Sequence, residues 1–146
     1  MPRKSDARIS GQEKGFSLIE VLVVILLVGI LAAIAIPAFL GQRGKAQDSE
    51  AKTAVRTAAS AAKAYLTLNK TYAAMAAADL RADEPSLNQG AAAGSGLAVT
   101  VTDADTALVR VTSGTGNRFT ITDDAGVATR TCTTGGEAGR PSGGSW

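Results

Sequence analysis

Residues 16–40 read FSLIEVLVVILLVGILAAIAIPAFL and are apolar except for Ser17 and Glu20. A helix over this run would be roughly 37 Å long, whereas the hydrocarbon core of a bilayer is about 30 Å thick. A helix on the surface of a globular domain normally keeps a polar face, and this run has none. The sequence therefore predicts a membrane-spanning helix rather than a buried core helix.

Basic residues precede the run, at Arg3, Lys4, Arg8 and Lys14. They could form the start of an ordinary secretory signal peptide, with Ala33-Ile34-Ala35 resembling its small-residue cleavage site. The apolar run is longer than the 7–15 residues that are typical of a removed signal peptide, so we expect the helix to be retained. The excess of basic residues before the run predicts a cytoplasmic N-terminus.

Glu20 is the one ionisable group in the run. A carboxylate near the centre of a membrane helix costs about 2.5–3.5 kcal/mol on insertion scales. Because Glu20 lies near the start of the run, it could reach the headgroups, and a tolerated interfacial charge is one interpretation. The other interpretation is a paired charge with a function, which is the default hypothesis for an ionisable residue inside a membrane segment.

The segment GFSLIE at 15–20, followed by an apolar helix with Pro37 near its far end, resembles the N-terminus of type IV prepilins and of type II secretion pseudopilins. The resemblance covers roughly a quarter of the chain. It implies that prepilin peptidase cuts between Gly15 and Phe16, and that the new amine of Phe16 is N-methylated. It also implies that Glu20 forms a salt bridge with the Phe16 amine of a neighbouring subunit during assembly.

The same resemblance implies a location and partners. The precursor is expected to cross the cytoplasmic membrane once, and the processed chain to form a homo-oligomeric filament with the help of an inner-membrane assembly platform. The implied function is a structural subunit of a cell-surface pilus that serves adhesion, motility or DNA uptake. A major pseudopilin of type II secretion is the alternative within this superfamily, and a single-pass membrane-anchored binding protein is the alternative outside it.

Gly29 and Pro37 are the two residues of the run that weaken a helix. Pro37 has no amide hydrogen to donate to the Ala33 carbonyl, and glycine has a poor helix propensity. Both residues are also common in membrane helices. Filaments of the family that this chain resembles lose helical order here, so the resemblance favours a helix-softening role.

The remaining chain predicts an α+β, pilin-like fold. Residues 41–68 carry apolar side chains at steps of three and four and predict an amphipathic continuation of the helix. Residues 97–132 alternate with a period of two and predict an antiparallel β-sheet that packs on the apolar side of this helix. The predicted strands are 97–102, 107–112, 118–122 and 127–132.

The two other segments are less regular. Residues 69–96 predict a connecting αβ region with a short helix at 73–81. Residues 133–146 are rich in glycine and serine and predict a flexible tail. With residues 1–15 as the cleaved leader, residues 16–40 as the assembly helix and 41–68 as its continuation, the chain holds one modest soluble domain.

The charge balance changes when the leader is removed. The leader holds four of the 15 basic residues and two of the 13 acidic residues, which leaves 11 of each. The mature chain is formally neutral, so its composition does not indicate direct nucleic-acid binding.

Few residues could support other chemistry. Cys132 is the one cysteine, so the chain cannot form an internal disulfide, which departs from the C-terminal disulfide loop of many pilins. Asp103, Asp105, Asp123 and Asp124 could bind calcium if their loops converged, but turn formation is the favoured interpretation and no metal is predicted. The chain has no histidine and no phosphate-binding loop, so we expect neither an enzyme nor a cofactor.

Overall fold

The computed structural model describes residues 15–133 and 144–146. The predicted leader, 1–15, therefore lies outside the described residues except for Gly15, and so does most of the predicted tail. The helices are α1 (Leu18–Asn69) and α2 (Ala77–Asp83), followed by the 3-10 turns Pro85–Asn88 and Gly90–Ala92. The strands are β1 (Leu97–Val101), β2 (Thr106–Thr112), β3 (Arg118–Asp124) and β4 (Val127–Thr133).

The four strands form one antiparallel sheet in the order β1-β2-β3-β4, which confirms the predicted α+β class. The hairpin between β3 and β4 is tighter than the sequence predicted, because only Ala125 and Gly126 connect the strands. Both residues have positive φ, at 47° and 90°. Such a two-residue turn matches the twist of antiparallel strands and leaves Asp123 and Asp124 inside β3.

The chain divides into two compact units, residues 1–37 and Ala38–Trp146. In the second unit, small side chains of α1 such as Ala51, Val55 and Ala58 are fully buried. They belong to the same buried cluster as Val111 and Phe119 of the sheet. The amphipathic half of the helix thus supplies one side of the core.

The connecting region 69–96 holds helical elements and no strand, which corrects the αβ prediction. Helix α1 ends at Asn69 because Lys70 adopts a left-handed conformation, with φ of 61°. Helix α2 begins later than predicted, where the Asp79 carboxylate accepts a hydrogen bond from the Ala76 amide at 2.8 Å. Pro85 then occupies the first turn of a 3-10 helix, a position where its missing N–H is tolerated.

Asp48 is a buried charged residue on α1, with 1% of its surface exposed. Its carboxylate accepts hydrogen bonds from the hydroxyls of Ser113 at 2.6 Å and Thr115 at 2.5 Å. The side-chain amide of Asn117 donates to its other oxygen at 2.8 Å. This network joins α1 to the turn between β2 and β3.

Residues 144–146, the described end of the predicted flexible tail, contact β4 and the core, and residues 134–143 lie outside the described residues. The Trp146 indole donates a hydrogen bond to the Thr131 carbonyl at 2.8 Å. Its ring meets the edge of Phe119 with 5.6 Å between centroids. The Cys132 amide donates to the Gly144 carbonyl at 2.8 Å. A tryptophan that has both apolar neighbours and an acceptor explains why residues 144–146 lie against β4.

We expect Asp48→Ala to lower the free energy of unfolding by about 3 kcal/mol, because it removes the acceptor that three side-chain donors share, two of them buried. The matched control is Asp83→Ala, since Asp83 is an exposed carboxylate whose removal should change stability by less than about 0.5 kcal/mol. Urea unfolding of the full chain in detergent, followed by circular dichroism, measures both. Equal losses in the two variants would contradict the structural role of Asp48.

Candidate assembly segment

Gly15 and Phe16 lie outside the helix. Helix α1 begins at Leu18, and the Ser17 carbonyl accepts the first hydrogen bonds, from the amides of Glu20 at 3.0 Å and Val21 at 3.3 Å. A Cβ added at Gly15 would meet nothing within 4 Å. The Gly15–Phe16 peptide bond is therefore exposed and free of helical hydrogen bonding, as a protease substrate needs to be.

The described part of the first unit exposes its apolar side chains. Phe16 is 83% exposed, and no residue is buried in the most apolar 18-residue window of α1, whose mean hydropathy is 3.1. By length and composition, α1 is the one described helix that could cross a membrane. A surface of this size and polarity has to be covered by lipid or by another protein surface.

Glu20 lies on this exposed apolar surface. Within residues 15–133 and 144–146, its carboxylate forms no ion pair and no hydrogen bond. In the intact chain the Phe16 nitrogen is a peptide amide and carries no charge. The predicted partner of Glu20 therefore exists only after the Gly15–Phe16 bond has been cut, and the pairing stays a prediction.

Helix α1 continues through both Gly29 and Pro37. A Cβ at Gly29 would meet nothing within 4 Å, so packing within one copy does not require a glycine there. Small residues do allow membrane helices to approach each other closely. The helix-softening role of these two residues stays a prediction about the assembled state.

The four aspartates considered as calcium ligands, Asp103, Asp105, Asp123 and Asp124, do not come together as one group in the described ranges. Asp103 accepts a hydrogen bond from the Asp105 amide at 2.9 Å, and this bond lowers the pKa of Asp103. The Asp124 carboxylate accepts one from the Thr106 hydroxyl at 3.2 Å. No group of three or more histidine, cysteine, aspartate or glutamate residues in the described ranges could hold a metal ion. The Asp103 bond is a turn contact, whereas the Asp124 bond joins β3 to β2.

Asp123 faces the interior, where it meets Tyr72. The Tyr72 hydroxyl donates to the Asp123 carboxylate at 2.7 Å, and the ring is fully buried. Burial, together with this hydrogen bond, raises the pKa of Tyr72 above its ordinary value. Sequence analysis treated Asp123 as a turn residue, and nothing local signals a partner that lies 51 positions away.

Comparison with known proteins bears on the N-terminal segment. Residues 11–36 match the family described as "Prokaryotic N-terminal methylation motif". The chain is 38% identical over 66 residues to the type IV major pilin PilA of Myxococcus xanthus. The aligned region is 45% of this chain and 30% of that protein. It is 56% identical over 39 residues to PilE1, a type IV major pilin of Neisseria gonorrhoeae. That aligned region is 27% of this chain and 24% of that protein.

The N-terminal segment is similar to those of type IV major pilins and carries the N-terminal methylation motif. A fimbrial protein of Moraxella nonliquefaciens shows the same limited match, 56% identical over 41 residues, or 28% of this chain and 27% of that protein. The chain thus spans less than a third of the length of each of these curated relatives. No solved structure matches it significantly.

The Tyr72 hydroxyl predicts a pH dependence of stability. Because folding raises the pKa of Tyr72, its contribution is complete below the unfolded value near 10 and is lost as the pH rises beyond it. We expect Tyr72→Phe to lose about 1 kcal/mol at pH 7 and to weaken the fall in stability between about pH 9.5 and 11.5. The control is Tyr65→Phe, and urea midpoints across this pH range are the measurement. Parallel pH profiles for wild type and Tyr72→Phe would refute this role.

Proposed function

We propose that this chain is the structural subunit of a type IV pilus-like filament. The observation that carries the proposal is an exposed apolar helix with one carboxylate, Glu20, that has no partner in the described residues. The helix lies in the segment that matches the N-terminal methylation motif. Copies of such a helix can cover each other's apolar surface in a bundle, as lipid covers it in the membrane, and the Glu20 carboxylate favours the bundle if it finds a partner there.

Processing supplies the charge that the helix lacks. Prepilin peptidase hydrolyses the Gly15–Phe16 bond, so the leader leaves with a carboxylate on Gly15 and the mature chain gains an amine on Phe16. Methylation of that nitrogen keeps it basic, and it is protonated near neutral pH. The exposure of Gly15 and the non-helical backbone around it support cleavage at this bond.

The Phe16 ammonium of one copy then pairs with Glu20 of the next. If the helix extends to Phe16 in the filament, the two residues are about 6 Å apart along its axis, and a neighbour with that axial offset brings opposite charges together. In a bundle that excludes water, removing one member of such a pair typically costs about 3–5 kcal/mol. A copy with the wrong offset would bury both charges unpaired, so the pair selects the register of assembly.

This function places the chain in two locations. Before assembly it crosses the cytoplasmic membrane once, with its N-terminus in the cytoplasm and residues beyond 40 outside, next to the inner-membrane assembly platform. After assembly it belongs to a filament at the cell surface. The similarity to named type IV major pilins supports a pilus more than a type II secretion pseudopilus.

We expect Glu20→Ala to leave a processed, membrane-held chain and to reduce filament yield at least about 100-fold, because the Phe16 ammonium would be buried without a counter-charge. Glu84→Ala is the matched control, since Glu84 lies in the other unit, outside the apolar helix. Quantitative immunoblots of sheared surface filaments and of membranes measure both pools. A wild-type filament yield from Glu20→Ala would refute the pairing.

The filament itself is tested by mass spectrometry of the sheared material. The proposal expects a peptide that begins with N-methylated Phe16. An intact leader on all surface copies would refute processing. A chain that stays uncleaved and monomeric in the membrane would favour an anchored binding protein, and a requirement for it in protein export without surface fibres would favour a pseudopilin.

A further inference from the structure

A groove of about 280 Å³ lies between α1 and β4. Its walls carry three cationic side chains, Arg56 and Lys63 from α1 and Arg130 from β4, and its floor includes Ile121 and Ala128. No carboxylate lines it. The groove therefore combines an apolar floor with a positive rim, a setting in which a carboxylate binds more strongly than on an open surface.

Trp146 holds two of the cations in place. The Arg56 guanidinium lies 5.0 Å from the centre of the indole, and that of Arg130 lies 5.8 Å from it. The ring is fixed by its hydrogen bond to the Thr131 carbonyl. Because both guanidinium groups are already oriented, an anion that binds them has less side-chain freedom to remove.

The positive charge of the groove is only partly balanced within the molecule. Lys63 lies 3.9 Å from a carboxylate oxygen of Asp123. Neither Arg56 nor Arg130 forms an ion pair with another described residue. The uncompensated charge is thus carried by the two arginines that Trp146 orients.

A complementary surface lies at one end of the sheet. The Ala125 amide donates to the Asp105 carbonyl at 3.1 Å, which ties the β1–β2 turn to the β3–β4 turn. The exposed carboxylates of Asp103, Asp105 and Asp124 therefore lie at the same end, and none pairs with a cation in the described ranges. We call these two turns the acidic turns.

We propose that the groove between α1 and β4 binds the acidic turns of a second copy of this chain. The proposal rests on the proposed filament function. The groove and the turns are different surfaces, so each copy can use its groove on one neighbour and its turns on another. Such a head-to-tail contact, combined with a displacement along α1, builds an open helical array rather than a closed pair.

The positions of the two surfaces define a stagger. The β1–β2 turn lies beside Tyr72, whose amide donates to the Ala104 carbonyl at 2.7 Å, just beyond the end of α1. The groove lies at Arg56 and Lys63, about ten residues earlier on α1, or roughly 15 Å along its axis. Copies at the same level cannot pair their surfaces in this way, whereas copies displaced along α1 can.

A second copy fits the charges better than a free polyanion. The mature chain carries equal numbers of acidic and basic residues, so it has no overall positive field that would attract a nucleic acid or an acidic polysaccharide. Copies held in one membrane also meet at a high effective concentration, which allows a few charge pairs to matter.

The test is a charge swap in the full-length chain. We expect Arg130→Glu and Asp105→Lys each to lower the yield of sheared filaments at least about fivefold, as loss of close charge pairs at an interface does. The variant with both substitutions should recover to within about twofold of wild type, because opposite charges face each other again. Arg118→Glu is the control, since Arg118 is an exposed arginine outside the groove.

The outcomes separate this inference from the proposed function. Asp105→Lys changes an exposed turn side chain with no partner in the described part of the chain, so a defect in it is not a folding defect. Wild-type yields in both single variants, a defect in Arg130→Glu alone, or a double variant no better than the singles would each overturn the contact while leaving the filament in place. Absence of the wild-type chain from filaments would overturn the proposed function itself.

Discussion

An apolar helix surface left exposed in the described residues is the constraint on which the account of this protein depends. In the first unit, the described large side chains from Phe16 to Ile36 remain mostly exposed. Lipid can cover them in the precursor, and neighbouring helices can cover them in a filament. Glu20 would make the two solutions unequal, because lipid offers its carboxylate no partner and a processed neighbour, as proposed, would offer an ammonium.

The second unit has a small core, and its stability depends on close packing and on two buried polar contacts. Alanine and valine side chains of α1 meet the sheet closely, and two buried polar contacts fix how the parts meet. Asp48 joins α1 to the β2–β3 turn, while Tyr72 and Asp123 join the segment after α1 to β3. Each contact pairs a buried polar group, which limits the cost of burying it and disfavours other arrangements of the same elements.

The fold class and the assembly segment were predictable because their signals are local. The GFSLIE segment and the apolar run lie in one stretch of sequence, and apolar and polar residues alternate along the strands. The contact of Asp48 was not predictable, since Ser113 lies 65 positions away. The contact of Trp146 was not predictable either, because a tryptophan after a glycine-rich stretch gives no local sign that it packs on the sheet. The αβ prediction for 69–96 failed because alanine and a proline at the start of a 3-10 turn favour short helices over a strand.

The most direct test of the central claim is the distance between charges in an assembled filament. A filament structure determined by electron cryomicroscopy would place the Glu20 carboxylate of one copy against the Phe16 nitrogen of another. The account predicts that the nearest oxygen lies within about 4 Å of that nitrogen, the range of an ion pair. A filament in which Glu20 faces solvent or another group, with Phe16 far from any carboxylate, would contradict it.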